Sequence, residues 1–260
     1  QINPKASMVI APSDHLILDE NEFANCVKKS LKASENNDIL ITLGIKPSRP
    51  DTGYGYIQFT NNYLPNEKEF KRVKTFTEKP SLELASQFIS SGEFLWNSGI
   101  FIWSTLSIIN RYKNNLKDLY DKFTQGKHLL NSAEEKEFIN NIYPKLKSIS
   151  IDFGIMEKAN DVFVLPVDFG WSDLGTYGSI YNHIDQDEKE NALVNDDVIL
   201  YNASKNMIHS SKDKLIVIDG LNDFIVVDRE NVLLICKKEN EQLIKKYMKD
   251  AKEKKGDQYV

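Results

Sequence analysis

A few residues in this chain have types and spacing that could do chemistry: Glu78-Lys79, Asn97, the glycines Gly53 and Gly55, and the acids Asp14 and Asp173. A carboxylate accepts hydrogen bonds from hydroxyls, an asparagine amide both donates and accepts, and a lysine supplies a mobile point charge. Together Glu78, Lys79 and Asn97 suit a ligand with hydroxyls to hold and a phosphate to neutralise, which is the description of a sugar phosphate. In Thr52-Gly-Tyr-Gly-Tyr the glycines let backbone amides approach a ligand that a Cβ would obstruct. Asp14 and Asp173 can share one hard cation, since Mg²⁺ takes one or two protein carboxylates plus substrate phosphates. Plainer readings exist for each taken alone: an exposed ion pair before a proline, a turn asparagine, a hairpin turn with glycines, a turn aspartate and a helix cap.

The surrounding elements must bring these groups to strand ends. Residues 73–77 alternate and are rich in β-branched and aromatic types, which predicts a strand, and Pro80 stops it. Ser81 then caps a helix carrying Leu84, Ala85, Phe88 and Ile89 on one face, with Gly92 at its C-terminus. Gly99 to Trp103 reads as a buried strand, which puts Asn97 and Ser98 just before it. Residues 6–11 read as a central strand of a parallel sheet, with Asp14 at its carboxyl end, where ligands bind in open α/β sheets. Asp19 and Glu22 have capping-box spacing ahead of a helix with Phe23, Val27 and Leu31 on one face, so Asp14 is not needed as a cap. Residues 38–45 are a second buried strand. Leu106, Ile109, Tyr112, Leu116, Leu119 and Phe123 predict one long amphipathic helix, and 162–167 a further strand that leads towards Asp173. Residues 124–147 continue as helical surface. After the charged run at 185–191 the pattern changes to five short strands between 198 and 236, then a charged helix over 239–254.

The predicted fold is α/β: a Rossmann-like mixed sheet flanked by helices over residues 1–187, and a small β-rich domain over 188–260. The 260 residues suffice for this core, and a net charge of −5 without a basic face argues against nucleic acid. Cys26 and Cys236 are expected to be buried thiols, in keeping with a reducing cytoplasm. No run long and apolar enough to span a membrane occurs, and no signal peptide is legible. The chain is expected to be soluble and cytoplasmic, and to start within a domain.

Six segments, in order, carry a family resemblance: Ala11-Pro-Ser-Asp-His, Arg49-Pro-Asp-Thr-Gly-Tyr-Gly-Tyr-Ile, Phe76-Thr-Glu-Lys-Pro, Leu95-Trp-Asn-Ser-Gly-Ile-Phe, Ser150-Ile-Asp-Phe-Gly-Ile-Met-Glu-Lys and Gly170-Trp-Ser-Asp-Leu-Gly. With these the chain resembles the mannose-1-phosphate guanylyltransferase, or GDP-mannose pyrophosphorylase, family, and residues 214–236 resemble that family's C-terminal, β-helix-like domain. The resemblance implies a glycosyltransferase-A-like nucleotidyltransferase fold and a reaction of GTP with mannose 1-phosphate that yields GDP-mannose and pyrophosphate. It assigns Asp14 and Asp173 to Mg²⁺, the backbone of Gly55 with Glu78 and Asn97 to the mannose hydroxyls, and Lys79 to the sugar's phosphate. It places the family's glycine-rich nucleotide loop upstream of Gln1. Two other readings stay open at this point: a pyrophosphorylase for another hexose 1-phosphate, and a catalytically silent sugar-nucleotide-binding subunit. A homodimer through an apolar stripe of the β-rich domain is compatible with the pattern, as is ordinary core packing.

Overall fold

The computed structural model describes residue 3 and residues 6–194, 197–210 and 214–259. It divides into two compact units, Gln1–Trp171 and Ser172–Val260.

In the first unit β1 (Ser7–Ile10) and β2 (Leu16–Ile17) precede α1 (Glu20–Asn36), β3 (Leu40–Ile45), β4 (Gly55–Leu64) and β5 (Glu67–Glu78). Then come α2 (Leu82–Ser91), β6 (Phe94–Ser104), α3 (Thr105–Asn115), α4 (Lys117–Gln125), α5 (Glu135–Ile142) and β7 (Val162–Val167). Six strands form one mixed sheet in the order β1-β6-β3-β7-β5-β4, with β4 also paired to β6. Every residue of β3 is buried, and Ile41 and Leu43 are wholly enclosed. Burying a side chain of that size is worth roughly 1.5–3 kcal/mol. The predicted caps are present: Asp19 accepts from Glu22 N at 2.9 Å, Ser81 Oγ accepts from Leu84 N, and Gly92 ends α2 at φ 69°.

Three expectations need correction. The strand at residues 7–10 lies at the end of the sheet order and runs antiparallel to β6, not in the middle of a parallel sheet. Its apolar run reflects two covered faces, since Val9 packs against one core cluster and Met8 against another. Asn97 and Ser98 lie inside β6 rather than before it. Leu95 and Trp96 extend this strand backwards into the core, and tertiary burial overrides the turn character of Asn-Ser-Gly. The single long helix is two helices, broken at Leu116 (φ −133°, ψ 53°). Leu116 packs over Gly154, where an added Cβ would meet its Cδ1 at 2.9 Å.

In the second unit β8 (Trp171–Ser172, straddling the division) precedes α6 (Tyr177–Tyr181) and the strands β9 (Ala192–Leu193), β10 (Val198–Tyr201), β11 (Met207–His209), β12 (Ile216–Asp219), β13 (Phe224–Arg229) and β14 (Val232–Lys237). Then α7 (Ile244–Lys255) follows a turn of 3₁₀ helix. β9, β11 and β13 pair in parallel, as do β10 and β12, while β14 returns antiparallel to β13. Successive short parallel strands are the pattern of a coil that winds as a β-helix. Asparagines tie its turns together: Asn206 Nδ2 donates to Asn191 Oδ1 at 3.0 Å, and Phe224 N donates to Asn206 Oδ1 at 2.9 Å. Tyr177, Ile180 and Tyr181 of α6 pack on the core of this coil, so the second unit begins well before the charged run.

Candidate active site

Glu78 ends β5, and its register partner across the ladder is Gly55, the first residue of β4. A Cβ on Gly55 would lie 3.1 Å from Glu78 Oε2 and 3.3 Å from its Cδ, so the bare backbone makes room for the carboxylate. Burial pushes the Glu78 carboxyl above the usual carboxylate range, Lys79 pulls it back and Asp152 pushes it further up. Lys79 Nζ stands 3.9 Å from Glu78 Oε2 with its side chain 61% exposed. Its backbone is left-handed at φ 46°, and its N–H donates to Tyr54 O. An L-residue held in that region just before a proline is strained, and such strain persists where the surroundings impose it.

Asn97 is aimed by a bulge. Thr42 pairs with Phe101 and Gly44 with Asn97, so the three residues Ser98, Gly99 and Ile100 face the single Leu43. Gly99 takes φ 70° to permit this, and Ser98 Oγ fastens the bulge by donating to Leu43 O at 2.6 Å. Bulges beside functional sites commonly redirect a side chain. The Asn97 amide is engaged at both ends: Gly99 N donates to Oδ1 at 3.2 Å, and Nδ2 donates to Asp152 Oδ1 at 2.8 Å. Asp152 opens a five-residue π-helical turn, Asp152–Met156, a geometry frequent at functional sites. The structure therefore brings Gly55, Glu78, Lys79, Asn97 and Asp152 to one region of the first unit.

The loop before β4 is stiffened from within. Gly53 N donates to Asp51 Oδ1 at 2.7 Å, so this amide is committed to its own turn. Arg49 pairs with Asp51 at 2.7 Å and lies over Trp96 at 5.4 Å, and Tyr56 Oη donates to Asp51 O. Asp14 is exposed in the loop between β1 and β2. Its neighbour His15 is fixed through Nδ1, which accepts from Trp171 Nε1 at 3.1 Å. In the second unit Asp173 Oδ1 accepts from Gly175 N at 2.9 Å, closing a tight turn. It does not cap α6, because Thr176 and Ser179 form that capping box. Each aspartate offers carboxylate oxygen, the donor type a hard divalent cation prefers.

Asp152 and the Arg49–Asp51 brace were not assigned roles from sequence, although both fall within the recognised segments. No spacing rule links Asn97 to Asp152, 55 residues further on. A cavity of about 630 Å³ belongs to the second unit and is lined mainly by apolar side chains such as Val232, Leu234, Ile244 and Met248. It holds no comparable set of acid, amide and lysine.

The nucleotidyl transferase family model matches residues 1–190, and the model described as a MannoseP isomerase/GMP-like beta-helix domain matches residues 196–250. A mannose-1-phosphate guanylyltransferase of Salmonella montevideo is 33% identical over 229 residues, covering 85% of this chain and 47% of that protein. One of Escherichia coli is 29% identical over 228 residues with the same coverage. The chain thus spans about half the length of the curated relatives it matches. A crystal structure described as a mannose-1-phosphate geranyltransferase from Thermus thermophilus superposes with a TM-score of 0.79 at 24% identity, covering 95% of this chain and 70% of that one, a likeness of fold. On the match across residues 1–190, the chain belongs to the nucleotidyl transferase family.

Proposed function

We propose that the protein is a mannose-1-phosphate guanylyltransferase, joining GTP and mannose 1-phosphate to give GDP-mannose and pyrophosphate. The observation that carries this reading is the set of Glu78, seated over Gly55, with Asn97 and Lys79: hydroxyl-binding groups beside a mobile cation. The names of the relatives support the choice of sugar and nucleotide.

A phosphate oxygen of the sugar phosphate attacks the α-phosphorus of GTP in line, a new P–O bond forms and pyrophosphate leaves with the electrons of the broken one. The attacking phosphate is already an anion, so no general base is required. Glu78, Asn97 and the backbone of Gly55 bind the sugar's hydroxyls, and Lys79 neutralises its phosphate. Holding the reactants in line supplies much of the rate. We assign Asp14 and Asp173 to Mg²⁺ on their donor chemistry; a bound Mg²⁺ offsets the repulsion between the two anionic reactants. Among the described residues no helix is long and apolar enough to cross a membrane, and we place the reaction in the cytoplasm. Exposed Val217, Leu233 and Ile235 on the second unit are compatible with a homodimer.

The test is an assay of the full-length protein against a panel of hexose 1-phosphates and nucleoside triphosphates. Pyrophosphate release is expected to be fastest with mannose 1-phosphate and GTP. Preference for glucose 1-phosphate, or binding without turnover, would replace this reading with one of the two alternatives.

A further inference from the structure

We infer that Asp152 is a positioning residue of the sugar subsite, its carboxylate locking the Asn97 amide in the one orientation that faces the hydroxyl edge of the sugar. This inference rests on the proposed function and deepens it.

The amide of an asparagine is symmetric in shape and opposite in chemistry at its two ends, so its neighbours must decide which end is which. Here both do. The Gly99 N–H, fixed by the bulge in β6, can only donate, so Oδ1 faces it. The Asp152 carboxylate can only accept, so Nδ2 faces it. With both ends engaged the amide cannot turn over without setting donor against donor and acceptor against acceptor. One N–H of Nδ2 and one lone pair of Oδ1 stay free. A neighbouring pair of hydroxyls on a sugar ring offers the matching acceptor and donor, and a fixed amide decides which hydroxyl must donate.

Asp152 also acts through its charge. It lies close enough to Glu78 and Glu157 to hold both carboxyls above the usual range, in each case after burial. A phosphate is repelled from that side and attracted to Lys79, whereas hydroxyls can donate to the carboxylates. The acids thus give the subsite a polarity that points the sugar's hydroxyls inwards and its phosphate towards the lysine. Asp152 is carried on the π-helical turn, whose Glu157 N donates to Asp152 O across five residues at 2.9 Å, so the carboxylate rests on a hydrogen-bonded support.

The test uses the full-length protein with Asp152→Ala, Asn97→Asp and the exchange Asn97→Asp with Asp152→Asn. In the exchange the donor and acceptor trade places: the amide introduced at position 152 would donate to the carboxylate introduced at position 97, which still accepts from Gly99 N. Asp152→Ala is expected to raise the KM for mannose 1-phosphate at least about tenfold and leave the KM for GTP within about twofold. Asn97→Asp sets two carboxylates face to face and also removes the N–H that meets the sugar, so it is expected to lose more, and the exchange restores the pairing but not that N–H. An unchanged sugar KM in Asp152→Ala overturns the inference. Denaturant midpoints follow the pair without substrate: the exchange should regain most of what Asn97→Asp loses, and no recovery counts against the pairing. A wild type that ignores every sugar phosphate would sink the proposed reaction, and those midpoints would still decide whether Asp152 orients Asn97.

Discussion

The Glu78 carboxylate lies against the backbone of Gly55, close enough that a single methyl group on the glycine would stand 3.1 Å from Oε2. Cross-strand pairing sets this contact, since the two residues face each other at the open end of the β4–β5 ladder. The pair fixes where the carboxylate can point, and several outcomes follow from it and from its neighbours.

Gly55→Ala should displace Glu78 while leaving the sheet intact, because the added methyl meets a side chain end rather than backbone. The KM for mannose 1-phosphate should rise roughly tenfold, the effect of a lost hydrogen bond to a charged group, with melting temperature nearly unchanged. A wild-type KM would show that the carboxylate's place is unimportant.

Glu78→Gln keeps the size and removes the charge. It should raise the KM for the sugar phosphate more than that for GTP, and equal effects on both would count against the assignment. The stability effect has the opposite sign. Burial holds the Glu78 carboxyl above its unfolded value, so the native state binds that proton more tightly, and the charged form costs stability once the pH exceeds the folded value. The glutamine variant should therefore melt higher than wild type near neutral pH. Melting curves taken down through the carboxylate range should show the difference closing.

Asp173→Asn tests the proposed role in binding Mg²⁺ with little change of shape. The asparagine Oδ1 can still accept from Gly175 N, the bond that closes the turn. Turnover should fall at least about a hundredfold, as when other charge-stabilising groups are removed, with the fold kept by circular dichroism. Near-normal turnover would remove Asp173 from the ion's proposed ligands.

Arg111 offers a prediction about stability alone. It is buried, donates to Asp38 Oδ1 and to Asp38 O at 2.8 Å each, and also pairs with Asp161. Arg111→Ala should cost about 2–3 kcal/mol near neutral pH, since charged hydrogen bonds are lost while the partner acids still reach water. The arginine holds Asp38 below the usual range, so that stabilisation is present above the unfolded pKa and fades as the pH falls through the folded one. Urea denaturation at several pH values should show the gap between variant and wild type narrowing in acid.

Much of the architecture was legible because its signals are local. Caps at Asp19 and Ser81, the glycine ending α2 and the apolar run of β3 are decided within a few residues, and the structure has each of them. What was not legible depends on distant partners. The edge position of β1 is hidden because Met8 and Val9 are both covered. The break at Leu116 depends on Gly154, and the aim of Asn97 on a bulge opposite Leu43. The chemistry of Glu78, Lys79 and Asn97 is legible from their residue types alone, whereas the contact of Asp152 with the Asn97 amide exists only once the chain is folded.

Gly55, Glu78, Lys79 and Asn97 are proposed to form the sugar half of a transferase site. The most direct test is a crystal structure of the full-length protein with GDP-mannose bound. Mannosyl hydroxyls are expected within about 3.2 Å of the Glu78 carboxylate and the Asn97 amide, with the phosphate on the sugar lying beside Lys79. A mannosyl group seated elsewhere, with Glu78 and Asn97 touching only protein, would contradict this assignment.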